Sequence, residues 1–121
     1  MITEKQKKRM RKLVDALLSG KYEQARKTLR LGNSFCCLGV ACDIYRKETK
    51  KGKWVRSSGD DSYDIHSFLE HTSYLPDKVM KWFGFGDPRG DKIGKSELSL
   101  RNDLGQSFKQ IANAIERHYD L

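Results

Sequence analysis

Apolar residues first recur in register at Met10, Leu13, Val14, Leu17 and Leu18, a helical spacing that Gly20 brings to a stop. Thr3 and Gln6 stand ahead of this stripe at the spacing of a capping box, so the pattern predicts an amphipathic helix beginning just after Thr3. Projected at about 100° per residue, its opposite side carries Lys5, Lys8, Arg9 and Lys12, with Lys7 and Arg11 on the flanks. Tyr22, Ala25 and Leu29 continue at helical spacing and predict a second, shorter helix over Lys21 to Leu31, ended by Gly32-Asn33.

Phe35-Cys36-Cys37-Leu38-Gly39-Val40-Ala41-Cys42-Asp43-Ile44-Tyr45 lies in the longest stretch of chain without Lys, Arg or Glu, with Ser34 placed to cap it as a helix. In projection Cys37, Val40, Ala41 and Ile44 share one face and Leu38, Cys42 and Tyr45 a second. Cys36, Gly39 and Asp43 line up on the third. A helix apolar on two faces is buried by its neighbours, so this run is expected to be the central core element. The third face is then the one place where it would meet a ligand. Glycine inside a helix costs roughly 1 kcal/mol against alanine, so Gly39 predicts close contact with another helix, or else close approach of a ligand beside Cys36 and Asp43.

Further on, Trp54 and Val55 predict a short strand that pairs with Tyr63 to Ile65 across a Ser/Gly/Asp loop. Pro76 opens a helix carrying Val79, Met80, Trp82 and Phe83, which Gly84 closes; Phe85 to Asp91 reads as a loop. Ser96 is placed to cap a short helix with Leu98 and Leu100. Ser107 and Gln110 repeat the capping-box spacing before Phe108, Ile111, Ala112, Ile115 and Tyr119, the last amphipathic helix. The sum is a single domain over residues 1–121 of the α+β class, mainly helical, with a small β-hairpin or short antiparallel sheet.

Composition changes this picture in one respect. The chain of 121 residues is 37% hydrophobic and 33% charged, with a net charge of +8. Residues 1–30 hold ten Lys or Arg against Glu4, Asp15 and Glu23, a balance of +7, so the rest of the chain carries only +1. Charge so concentrated suggests an anionic partner: nucleic acid, a nucleotide or an acidic protein surface. A solvated face that maintains solubility is the simpler alternative. The binding candidates are Lys5, Lys8, Arg9, Arg11 and Lys12, which would contact phosphates with salt-dependent and mostly sequence-independent affinity. Asn102 and Asp103 form a second polar group able to hydrogen-bond a base or ribose, although Asn, Asp and Gly are also the usual makers of a tight turn. Neither a signal-peptide pattern nor a membrane-length apolar run is present, so a cytoplasmic location without membrane association is expected.

The cysteines are three, two of them adjacent, a poor basis for a disulfide framework. Cys36 and Cys37 near a helix start are candidates for an activated thiol, with Asp43 and one of His66, His71 or His118 as orienter and base. A small thiol enzyme is therefore the alternative to a binding protein. Against it stands the ordinary use of free cysteine as a small core residue. Adjacent cysteines do not resemble a C-x-x-C site, and neither a metal nor a cofactor is expected.

Leu17, Gly20-Lys21-Tyr22-Glu23-Gln24, Phe35-Cys36-Cys37-Leu38-Gly39-Val40 with Cys42-Asp43, Leu75-Pro76 with Val79 and Trp82, and Asn102-Asp103, Gly105, Ser107-Phe108, Ile111-Ala112 and Ile115-Glu116 together resemble a family of small bacteriophage and prophage proteins. The resemblance covers nearly the whole chain in order. It implies a phage-encoded protein acting inside an infected bacterium, and it brings no assigned activity or catalytic residues. Relatives tend to carry a small residue or glycine after Gln24, where Ala25-Arg26-Lys27 makes this chain more basic and, by propensity, more helical. The expected function is that of a non-enzymatic accessory protein binding an anionic partner through its first helix, with a pocket that sequesters a small nucleotide as a variant of the same charge argument.

Overall fold

The structure, a computed structural model, describes residues 2–56 and 64–121. Helix α1 spans Glu4–Leu18 and begins in the expected capping box, Thr3 accepting from the Gln6 N–H while the Gln6 side chain accepts from the Thr3 N–H. Met10, Leu13, Val14 and Leu17 are buried; Leu18, expected in the same stripe, is about half exposed. Helix α2 spans Cys37–Thr49, and every residue from Cys37 to Tyr45 is buried. Helices α3 (Asp77–Phe83), α4 (Leu98–Asp103) and α5 (Phe108–His118) complete the helical set. The Ser107–Gln110 capping box opens α5 as its spacing predicts, and α5 lays Ile111, Ala112 and Ile115 against α1 and the core.

Five short strands form one sheet in the order β1-β3-β2-β5-β4. They are β1 (Glu23–Gln24), β2 (Arg30–Leu31), β3 (Ser34–Phe35), β4 (Trp54–Arg56) and β5 (Ile65–Phe68); β1 and β3 run parallel and the other neighbours antiparallel. Strands β6 (Lys92–Ile93) and β7 (Ser96–Glu97) make a separate hairpin. The architecture is thus one α+β domain of predominantly helical character. No helix among the described residues is long and apolar enough to cross a membrane.

Several local expectations need correction. The segment from Lys21 to Leu31 is not a helix but β1, a turn and β2. Tyr22, Ala25 and Leu29 do turn inward, yet Lys27 adopts a left-handed φ of 70° that ends any helix, and neighbouring elements claim the backbone groups around it. Ala25 N–H donates to the Phe35 carbonyl, and Leu29 N–H to that of Thr72. Ser34 lies in β3, and the residue that caps α2 is Cys36. Ser96 likewise belongs to a strand, with Glu97 at the start of α4. The hairpin near Trp54 exists with a shifted register: Trp54 pairs with Phe68 and Val55 with Ser67, while Ile65 pairs with Leu31. The expected contribution of Tyr63 falls outside the described residues.

Candidate functional site

Lys5, Lys8 and Lys12 lie three and four residues apart along α1, hence in one row, and all three are exposed. The Lys12 ammonium pairs with Glu48 near the end of α2. Tyr22, just beyond the end of α1, bonds Asp43 nearer the start of α2. The two helices therefore run antiparallel, and the middle of α1 flanks the last turn of α2. That turn leads into Lys50, Lys51 and Lys53, all exposed. Lys5, Lys8, Lys50, Lys51 and Lys53 have no ion-pair partner among the described residues. The last three are further exposed cations that follow α2 directly in the chain.

The two arginines among the binding candidates, Arg9 on that face and Arg11 on its flank, are used internally. Arg9 donates to the Trp82 carbonyl at 2.8 Å and holds its guanidinium 4.4 Å from the centre of the Trp82 ring, fastening α1 to α3. Arg11 forms an ion pair with Glu116 at 2.8 Å, fastening α1 to α5. Both are half-buried. Of the five N-terminal candidates, then, Lys5 and Lys8 are turned to solvent without a partner among the described residues.

The third face of α2 is not a surface. Cys36 is 4% exposed and its sulfur accepts from the Gly39 N–H at 3.4 Å, so it works as the helix cap. Burial pushes the Cys36 thiol up to about 12, and burial likewise raises Cys37 and Cys42 well above the ordinary thiol value. No hydrogen bond among the described residues joins His66, His71 or His118 to a thiol or to Asp43; His66 instead lies 3.0 Å from Asp64. Gly39 faces backbone and not a helix: a methyl group there would stand 1.8 Å from the Leu29 carbonyl oxygen, which accepts from the Cys36 N–H. Among the described residues no three of His, Cys, Asp and Glu gather as a metal site would require.

Asp43, 4% exposed, is enclosed by donors. Tyr22 Oη donates at 2.6 Å, Trp54 Nε1 at 3.1 Å and Arg46 from two nitrogens at 2.9 and 3.1 Å, with Lys47 Nζ 3.3 Å away. Burial works to raise this carboxyl, but the hydrogen bonds from Tyr22, Arg46 and Trp54 and the Lys47 charge outweigh it and hold Asp43 below the usual carboxylate range. The arrangement joins the loop before β1, helix α2 and strand β4. Arg46 and Lys47 follow Asp43 by three and four residues, so half of the cage is a helical pairing visible in sequence. Tyr22 and Trp54 come from elements that only the fold brings near.

A family model describing a domain of unknown function, DUF8296, matches residues 5–119. The chain belongs to the DUF8296 family. No curated protein and no solved structure shows a significant match to it. The family match takes in almost every element of the fold, so the DUF8296 domain and this α+β domain coincide.

Asn102 and Asp103 hold the DUF8296 domain together around the first turn of α2. Asn102 is fully buried; its Oδ1 accepts from the Cys37 N–H at 3.2 Å and from Gln24 Nε2 at 2.9 Å, while its Nδ2 donates to the Ala25 carbonyl at 2.8 Å. It therefore satisfies one of the free N–H groups at the start of α2 from a different helix. Asp103 Oδ1 accepts from the Lys27 N–H at 2.7 Å and secures that residue in its left-handed conformation. Lys27, Cys36, Ser73, Tyr74, Ser99 and Asp103 together wall a cavity of about 330 Å³. Asn102 is thus a structural bond, whereas Asp103 both supports the loop and faces a cavity.

Proposed function

We propose that this DUF8296 protein is a phage-encoded, non-enzymatic accessory protein that acts in the cytoplasm of an infected bacterium by binding nucleic acid through its backbone phosphates. The phage setting rests on the resemblance of the Phe-Cys-Cys-Leu-Gly-Val run and the Asn-Asp-x-Gly-x-Ser-Phe segment to phage and prophage proteins. The observation that carries the binding function is the exposed row on α1, where Lys5 and Lys8 have no ion-pair partner among the described residues; Lys50, Lys51 and Lys53 after α2 are likewise exposed and without such a partner there. Lysines without local partners keep their charge for phosphates, and such contacts position a partner without reading its sequence. The buried thiols and enclosed Asp43 give a non-enzymatic role the better support.

Anisotropy titration of labelled duplex and single-stranded DNA at several salt concentrations tests the proposal. Affinity should fall linearly with the logarithm of salt and vary little with sequence. A charge-reversed Lys5→Glu/Lys8→Glu chain should bind at least about tenfold more weakly at low salt. Absence of binding at low ionic strength overturns the nucleic-acid assignment, and retention of an acidic protein by the same face would identify the other class of anionic partner.

A further inference from the structure

The cavity between the β1–β2 turn and α4 is chemically distinct from the lysine surface. Its lining residues bring one ammonium (Lys27), one carboxylate (Asp103) and three hydroxyls (Ser73, Ser99 and Tyr74), with Cys36 beside them at the start of α2. At about 330 Å³ it falls at the lower end of the range of small-molecule sites. The Lys27 ammonium has no ion-pair partner among the described residues, although Asp103 shares the cavity with it. Opposite charges held in one cavity without being spent on each other suit a ligand with an anionic end and a hydroxyl-bearing end. Cys36 caps α2, so the positive end of a 13-residue helix also borders the cavity and adds to the attraction for an anion.

Two further features narrow the ligand. Tyr74 lines the cavity while 48% of its surface stays exposed, so an aromatic side chain open to solvent is available for a flat group. Lys27 is held at φ 70°, a conformation costly for a residue with a side chain, by the bond from its N–H to Asp103. Glycine would adopt that turn without strain, so Lys27→Gly removes the ammonium without opposing the local backbone.

We propose that this cavity binds a nucleoside monophosphate, with Lys27 toward the phosphate, Asp103 accepting the ribose hydroxyls and Tyr74 stacking on the base. The site is separate from the lysine surface and does not depend on its function. Asp103 is the carboxylate among the lining residues, which leaves it to serve as the acceptor.

Titration of the full chain with AMP, followed by calorimetry and by amide chemical shifts, tests the assignment. Saturable binding should shift the amides of Lys27, Cys36, Ser99 and Asp103. Asp103→Asn retains an acceptor for the Lys27 N–H, and Lys27→Gly suits the left-handed turn. Both variants should therefore fold with unchanged or raised Tm, and each should weaken AMP about tenfold or more, the effect of losing a charge-assisted hydrogen bond. Lys27→Gly should also erase the preference for AMP over adenosine, and Tyr74→Ala should weaken AMP while sparing ribose 5-phosphate. Failure of AMP to bind overturns the proposal, as does binding that both folded variants leave unchanged. Binding lost in Lys8→Glu but kept in Asp103→Asn would place AMP on the lysine surface and equally overturn it.

Discussion

At the scale of single residues, Gly39 and Asp43 show how the run from Phe35 to Tyr45 acquires its unusual composition. The Leu29 carbonyl occupies the space of a Gly39 side chain and accepts from the Cys36 N–H, so this glycine lets the backbone just before β2 seat directly on the first turn of α2. Backbone cannot swing aside as a side chain can. Gly39→Ala should therefore cost at least about 3 kcal/mol in a denaturant melt, well beyond the ordinary effect of a surface substitution. Asp43 makes the opposite kind of demand. Its folded carboxyl titrates below the ordinary value of 3.8, so in that acidic window the folded state binds fewer protons than the unfolded chain. The stability that Asp43 contributes is present above about pH 4 and is lost as pH falls through its lowered value. Urea melts across this range should show a decline in midpoint that flattens in Asp43→Asn, and an unchanged slope would contradict the account.

At the scale of elements, α2 is held from outside itself. Cys36 and Asn102 cap its first turn, the Leu29 carbonyl seats on it, and Asp43 fastens it to β4 and to the loop before β1. Its thiols share that enclosure. Alkylation of the native protein at neutral pH should be slow at all three cysteines and become rapid once denaturant is added, because the reactive thiolate is suppressed by burial. Fast labelling of Cys36 or Cys37 in the native state would revive a thiol chemistry for this helix. The lesson from the Lys21–Leu31 segment belongs here as well. Ala25 and Leu29 are buried and Tyr22 packs against the core, but their helical spacing is incidental. Gln24, Ala25 and Lys27 are bound by Asn102 and Asp103, so contacts more than seventy residues away in sequence override a local helical preference.

At the scale of the whole molecule, aromatic rings form an unbroken series of contacts from Tyr22 through Phe35, Trp54, Phe68, Tyr45, Trp82, Phe83 and Phe85 to Tyr119. The series ties the sheet to α2, α3 and the end of α5. Arg9 joins it by lying over Trp82, which separates two roles within the basic N-terminal helix. Arg9→Ala should lower stability by about 1–2 kcal/mol, through lost stacking and an unmet Trp82 carbonyl, while leaving the lysine surface intact. Lys5→Glu/Lys8→Glu should do the reverse, with Tm nearly unchanged and polyanion affinity reduced. A melt and an anisotropy titration on both variants read out the two effects, and equal losses in both assays would mean that the helix face is not divided in this way.

The sequence by itself determined what periodicity and local chemistry encode. The stripe of α1, both capping boxes, the burial of α2, the helix from Pro76 to Gly84 and the mainly helical α+β class follow from spacings of a few residues, where the chain is its own context. Only tertiary structure decided what each polar residue is for. Arg9 and Arg11 became fasteners, Lys5 and Lys8 stayed in solvent, and Asn102 went inward while its neighbour Asp103 came to wall a cavity. A charged or amide side chain has the same local preferences in each of these roles. Its role is set by which distant donors, acceptors and rings the fold places within about 3–4 Å, and that information is absent from any short window of the chain.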